Sequence, residues 1–409
     1  MKKILTVATL LAGGAVHAAG FALDTHNARA VGMGTAVTGS TNDASAIFYN
    51  AAGIVGPKGG EKLDLQIGDT AIFPKINFKN AETGNTTSTE FGVSPPPHLF
   101  GTYQIVDDLA VGVGVFVPFG ASAKWPEGWE KRFNGLRSNL TTYDINPTIA
   151  YKFADRVRVG AGVNIVRGTV EIERNVDSRA AGSEANVRLG GAAWGVGGNA
   201  GVQVDLLKDV LMIGAQYRTQ VEMNFKGAAD FTNQPAILAD RFRDQDITAD
   251  IVLPSSVTVG LAGRPMPELL IGFDVGYTHW SSFPELAIKF PEDPTLNNPL
   301  RKEWKNVVRY NVGAEYALRN NFAVRVGGGY DPSPSPATTL TPDLPDSDRI
   351  KGSVGAGYAL QLARAHQAIH FDLAYQYTAL LEKESTAPDA PGTYSGLGHV
   401  VSLTLGYRM

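Results

Sequence analysis

Apolar and polar residues alternate with period two along most of this chain, the pattern of strands with two differently solvated faces. It runs to the final residue: Val401, Leu403, Leu405, Tyr407 and Met409 alternate with Ser402, Thr404, Gly406 and Arg408. A membrane β-barrel requires such a last strand, which pairs with the first and leaves no backbone unpaired in lipid. In 367–382, Ile369, Phe371, Leu373, Tyr375, Tyr377, Ala379 and Leu381 share a face opposite His370, Asp372 and Gln376. In 306–318, Val308, Tyr310, Val312, Ala314, Tyr316 and Leu318 face away from Arg309, Asn311, Gly313 and Glu315. Segment 210–226 reads as one strand, with Leu211, Ile213, Ala215, Tyr217, Val221, Met223 and Phe225 together and Arg218, Glu222 and Lys226 opposite.

The same reading predicts fourteen strands, near 62–79, 97–106, 109–118, 141–153, 157–174, 187–205, 210–226, 246–263, 269–281, 304–318, 321–331, 348–361, 367–382 and 397–409. Adjacent Ile165 and Val166 disturb the phase of the fifth and predict a bulge there. Connections after even strands are short, as at Asp107-Asp108, Asp155-Arg156 and Arg319-Asn320. Those after odd strands are long: 80–96, 119–140, 175–186, 227–245, 282–303, 332–347 and 383–396. Short periplasmic turns and longer extracellular loops give an outer-membrane barrel this parity. The predicted fold class is an all-β, transmembrane antiparallel β-barrel with a small N-terminal plug in its lumen. Tyr151, Phe153, Tyr217, Tyr277, Tyr375, Tyr377 and Tyr407 fall on the outward face, as an interfacial girdle would.

The N-terminus does not alternate. Lys2-Lys3, an apolar run from Ile4 and small residues through Ala18 predict a secretory signal over 1–18. Residues 19–60 are rich in Gly, Ala, Ser, Asn and Asp. As a free tail they would leave Ile47, Phe48, Tyr49, Ile54 and Val55 in water, so they are expected to form a plug, or hatch, in the barrel 61–409. Gly112 and Gly114, inward in the third strand, would leave room for it.

Composition narrows the chemistry. The chain has no cysteine, which removes thiol catalysis and Cys-bound metal, and its formal net charge of −4 argues against a nucleic-acid partner. No metal site or cofactor is expected. The histidines are scattered; His366 and His370 would sit about 13 Å apart along a strand, too far to share one ion. Ser402 or Ser353 with His370 would face inward, so an enzyme is not expected. The inward charges Arg158, Arg218, Glu222, Arg309, Glu315, Arg325 and Asp372 are expected to pair across the lumen.

Four features carry a resemblance to the outer-membrane long-chain fatty acid and hydrocarbon transporter family, the FadL-like proteins. They are the Ala19-Gly20-Phe21 start, Tyr49-Asn50-Ala51-Ala52-Gly53-Ile54, Val117-Pro118-Phe119-Gly120 followed by Trp125, Trp129 and Arg132-Phe133, and Leu344-Pro345-Asp346-Ser347-Asp348-Arg349 before Ser353. Two positions depart from the family pattern: Ala51 stands where proline is usual, and Met409 where a terminal phenylalanine is usual. The resemblance implies a monomer in the outer membrane of a Gram-negative bacterium, touching outer-membrane lipid and lipopolysaccharide. It also implies passive transport: capture of a hydrophobic ligand among the loops, passage gated by the hatch, and sideways exit at a kink in the third strand. Ala19, Gly20, Phe21, Asn50, Ala51, Ala52, Gly53, Gly112 and Gly114 would belong to the hatch and its gating.

Loop 119–140 is the candidate capture site: Phe119, Trp125, Trp129, Phe133 and Leu136 offer apolar area, and Lys124, Arg132 and Arg137 could meet a carboxylate. Alternatively, Trp129 and Phe133 pack a short loop helix and the basic residues bind lipopolysaccharide phosphate. Phe290 and Trp304, in and beside 282–303, form a second candidate. Fatty acids and aromatic hydrocarbons are both open as ligands. A general porin for hydrophilic solutes, or a structural or adhesive barrel, is the alternative, and neither needs a plug.

Overall fold

The computed structural model describes residues 20–56, 60–154, 156–297, 299–362 and 367–409. The predicted signal 1–18, Ala19, Asp155 and His366 lie outside them. Fourteen antiparallel strands close a barrel. They are β1 (Leu63–Asn80), β2 (Pro97–Val106), β3 (Leu109–Phe116, resumed as Gly120–Lys124), β4 (Arg137–Phe153), β5 (Val157–Val176), β6 (Ala185–Leu207) and β7 (Leu211–Arg218, resumed as Val221–Thr232). There follow β8 (Gln245–Leu253, resumed as Ser256–Met266), β9 (Leu269–Thr278), β10 (Val307–Ala317), β11 (Phe322–Asp331), β12 (Arg349–Gln361), β13 (Ala368–Ser385) and β14 (Gly392–Arg408). Each pairs with the next, and β14 closes on β1 from Asp64↔Arg408 to Asn80↔Gly392. No described helix is long and apolar enough to cross a membrane.

Outward residues over most of the wall are large and apolar, with Leu65, Ile67, Leu403, Leu405, Val312, Val326 and Val354 all exposed, as lipid requires. Of the expected girdle, Tyr151, Phe153, Tyr217, Tyr277, Tyr375 and Tyr377 are exposed and Tyr407 is partly so.

Two register readings are corrected. Segment 210–226 is not one strand with one apolar face. Between Arg218 and Val221 the alternation flips: Tyr217 is exposed, whereas Val221, Met223 and Phe225 are buried inside and Glu222, Asn224 and Lys226 face out. Glu222 therefore leaves the expected lumen network. In β8 the flip occurs beside it, with Leu253 inside and Val257 and Val259 outside. Near the long loops the outer surface meets water, so charges turn outward and apolar residues line the lumen. Ile165 and Val166 mark the same change without a bulge. Asn164 and Val166 both point inward, Ile165 points out, and the β5–β6 ladder is unbroken.

Residues 20–56 lie against the inner wall and are almost wholly buried. They carry α1 (Ala28–Gly32), capped by the Asn27 side chain at Ala30 N, and α2 (Ala46–Tyr49). Backbone groups without a helical partner are satisfied by inward wall residues, as buried backbone must be. Asp274 accepts from Val37 N and Thr38 N, Gln203 donates to Thr38 O and Thr41 O, and Thr404 accepts from Ala28 N. Glycines on successive strands let the two backbones touch. A Cβ at Gly160 would stand 2.4 Å from a backbone atom of Ala51, at Gly272 2.1 Å from Ala36 O, and at Gly313 2.1 Å from Met33 O.

Candidate functional site

The wall's hydrogen-bond ladder is interrupted between β1 and β3. Three successive prolines, Pro95, Pro96 and Pro97, cannot donate to a ladder, and β1–β2 pairing stops at Asp69↔Pro97. Beyond it, residues 86–94 lie beside β1 instead, with Ile72 N bonding Ser94 O and Thr86–Ser88 pairing with Asn77–Lys79. On the other side β3 breaks at Val117-Pro118-Phe119. The N-terminal segment fills this break: Leu23 N donates to Pro118 O and Gly120 N to Phe21 O, both at 2.8 Å. Phe119 is pinned to β4 through Thr142, whose hydroxyl donates to Phe119 O at 2.6 Å.

That pairing drives Phe21 into an aromatic cluster. Its ring meets Trp280 at 4.6 Å, Phe283 at 5.4 Å, Trp304 at 5.5 Å and Phe119 at 6.0 Å between centroids. Met223, Phe225, Ile251 and Leu253, brought inward by the flips in β7 and β8, extend the same apolar group. Beside it is a cavity of about 30 Å³ lined by Phe21, Leu140, Val170, Ile172, Ile251, Phe283, Leu286, Asp343 and Leu344. At its rim Lys302 Nζ meets Asp343 at 2.7 Å, and Arg174 is within electrostatic reach of the same carboxylate. Burial alone would raise the Asp343 carboxyl, but Lys302 holds it below the usual range.

The predicted capture residues divide among several places. Phe119 and Trp304 meet at Phe21. Trp125 and Trp129 stack at 4.3 Å and 7° in a separate cluster with Leu136, Phe78, Leu340 and Tyr394. Phe290 packs with Phe231 and Phe242 in a third. The basic residues are paired: Lys124 with Glu90 and Arg132 with Glu184, both at 2.5 Å, and Arg137 with Glu171 at 3.5 Å, while Phe133 lies under Arg132 and Arg179. Sequence reasoning missed Arg174 and Asp343, whose inward aim becomes visible only once the register is known.

Of the residues predicted for the hatch and its gating, Gly20, Phe21, Asn50, Ala51, Ala52 and Gly53 lie in the N-terminal segment and Gly112 and Gly114 on β3. Gly20 has φ of +68° and packs on Trp280 and Trp304. Asn50 accepts from Ala52 N and donates to Thr38 O and Val202 O, tying the turn Ala51–Ile54 to β6. Ala51 N donates to Gln216 at 3.0 Å, a bond proline could not make. Ala52 is fully buried, and a Cβ at Gly53 would strike Thr41 O. Gly112 and Gly114 both face Ile47.

Toward the short turns the contacts become ionic. Arg29 bridges Glu315 at 2.8 Å and Asp43 at 3.1 Å; Arg325 joins Glu315 and Asp372 at 2.6 Å each; Arg408 meets Asp64 at 3.1 Å. A polar cavity of about 260 Å³ with His370, Tyr358 and Asn321 opens among them. Arg158–Asp205 and Arg218–Asp144 complete the expected lumen pairs. No group of His, Asp or Glu among the described residues is disposed to hold a metal ion.

A closed antiparallel barrel with a lipid-facing apolar band, whose lumen is filled by its own N-terminal segment, is an integral outer-membrane protein of the transporter class. This chain belongs to the outer membrane protein transport protein family (OMPP1/FadL/TodX), whose model matches residues 9–408. It is 25% identical to the long-chain fatty acid transport protein of Salmonella typhi over 88% of each chain. It is 26% identical to outer membrane protein P1 of Haemophilus influenzae over 92% of this chain and 89% of that one. Its fold matches a Pseudomonas aeruginosa FadL homologue with TM-score 0.84 and 21% identity, over 95% and 99% of the two chains. It matches the Pseudomonas putida toluene transporter TodX at 0.74 and 17%, over 94% and 98%.

Proposed function

We propose that this protein carries hydrophobic compounds, fatty acids or hydrocarbons, passively across the outer membrane as a monomer. Residues 19–60 act as a hatch in the barrel 61–409. The observation that carries this reading is the bonding of Phe21–Leu23 into the break of β3 while Phe21 packs in the aromatic cluster and lines the apolar cavity. At about 30 Å³ that cavity is far below the roughly 300–1,000 Å³ of a ligand pocket, so a ligand enters by displacing Phe21. Withdrawal of Phe21–Leu23 then frees the edge of the broken strand. Leaving apolar surroundings costs about 0.8 kcal/mol per CH₂, so an apolar solute follows the apolar lining and leaves sideways into lipid rather than through the polar end of the lumen.

Two features support an exit between β1 and β3. A broad apolar depression of about 970 Å³ reaches this stretch of the outer wall, running from Phe322, Phe371 and Leu405 on β11, β13 and β14 to Leu99, Val115 and Tyr143 on β2, β3 and β4. Asp69 holds an outward register position on β1 with Oδ1 buried and unpartnered, a costly placement in lipid unless the wall opens there. Outside, the paired loop residues Lys124, Arg132 and Arg137 are suited to lipopolysaccharide phosphate, and the aromatic cluster to the ligand.

The test is planar-bilayer conductance of the full chain and of a variant lacking 20–56, with oleate and toluene uptake in parallel. The intact protein should be nearly closed and take up ligand, and the deletion should conduct ions. A large steady current through the intact protein would identify a general porin instead.

A further inference from the structure

Beyond Phe21 the chain stays extended, and Asp24 follows three residues later, about 10 Å along. Its side chain is buried, and Oδ2 accepts from Lys351 Nζ at 3.1 Å and Thr35 Oγ1 at 3.2 Å, with Arg309 Nη1 at 3.8 Å. Lys351 projects from β12 and Arg309 from β10, so one carboxylate serves two cations from opposite sides of β11. Arg309 is underused: Nη2 reaches Thr258 only at 3.5 Å, and Nε is buried with no partner. Asp274, also within electrostatic reach of Arg309, is turned to the amides of Val37 and Thr38. Burial would raise the Asp24 carboxyl, yet Lys351 and Arg309 hold it well below the usual range, so the site selects an anion.

Phe21-Ala22-Leu23-Asp24 thus reads from apolar to anionic along the lumen, the order of a carboxylic acid lying with its head group deeper than its tail. We infer that Lys351 and Arg309 form a carboxylate subsite on the transport path, occupied at rest by Asp24, which an aliphatic monocarboxylate displaces and a neutral hydrocarbon does not. This inference rests on the transport reading above. It adds a ligand class to it: acids compete for two ends of the segment, hydrocarbons for one.

The experiment measures oleate and toluene binding to the full-length protein in lipid nanodiscs, for wild type, Asp24→Asn and the double variant Asp24→Asn/Lys351→Met. Folding of each is checked by the mobility shift between unheated and heated barrel on a gel. Loss of one charge-assisted hydrogen bond corresponds to about tenfold in affinity. Asp24→Asn removes the internal competitor, so oleate should bind about tenfold more tightly, with toluene unchanged. The double variant removes Asp24 and Lys351 together and leaves Arg309 as the one cation of the subsite; it should bind oleate about tenfold more weakly than wild type with toluene again unchanged. If Asp24→Asn fails to fold, the double variant decides alone. Equal shifts for both ligands, oleate affinity indifferent to both variants, or toluene binding without oleate binding would overturn the subsite and leave the transporter standing. Binding of neither ligand to wild type would overturn both.

Discussion

Gly160 shows why the inner wall is glycine-rich on the strands that meet the N-terminal segment. The Ala51 peptide stands where its side chain would be, whereas Gly190, in the outward phase of the next strand, has open space around it. Gly160→Val should force the Ala51–Ile54 turn off the wall at about 1–3 kcal/mol, the usual cost of overpacking. The expected result is a folded barrel with raised ion conductance, and Gly190→Val should conduct as wild type. The glycines themselves were countable in the sequence. Which of them touch the hatch was not, because contact depends on strand register and on the path of residues 20–56.

Among the elements, the broken strands matter most. β3, β7 and β8 each reverse their faces, and β7 and β8 do so side by side. A single period-two reading across Thr219-Gln220 could not reveal the flip, since the two skipped residues keep apolar positions in odd register. The reversal creates the apolar lumen at the long-loop end and the edge on which Phe21–Leu23 pairs. The N-terminal segment carries its own pH sensitivity in His26. The ring is fully buried, with Nε2 3.2 Å from Leu23 O, Phe48 and Phe116 packed beside it, and Asp24, His98 and Arg218 as its charged or titratable neighbours. Burial, then repulsion from His98, lowers its pKa from 6.5 to about 3. Because the folded value is the lower one, the hatch keeps this stability above pH 6.5 and loses it as pH falls toward 3, by about 4 kcal/mol at the acid end. Conductance should therefore rise as pH falls through that window. His26→Gln should flatten the profile down to about pH 4, where carboxylates begin to protonate.

At the scale of the whole molecule, the two polarity patterns locate the membrane. Outward residues are apolar up to Tyr217 and Val257 and charged beyond Val221, so the outer bilayer boundary runs near that level. Four of the five tryptophans are buried, and Trp194, 61% exposed, stands on the outer wall with Arg167 5.4 Å from its ring. This is the interfacial placement expected of Trp beside a cation that reaches toward headgroups. Lipids brominated near the headgroup should quench its fluorescence more than lipids brominated near the chain end, and Trp194→Phe should abolish the effect. Quenching that is unchanged in Trp194→Phe would move the boundary elsewhere.

The sequence by itself determined the barrel, the number and order of its strands, the parity of its loops and the need to bury residues 19–60. Each of these follows from periodicity or composition, which are local and survive without coordinates. Phe119, Asn50 and Gly53 were also singled out through short motifs, and Trp304 as an aromatic beside a long loop. Only the tertiary structure decided that Phe21 is the centre of the aromatic cluster, that Lys124, Arg132 and Arg137 are already paired outside, that Lys302 meets Asp343, and that Lys351 and Arg309 converge on Asp24. Those outcomes depend on residues far apart in the chain meeting across a closed lumen. Alternation says which two faces a strand has, but closure and the breaks decide which face meets lipid, water or the hatch.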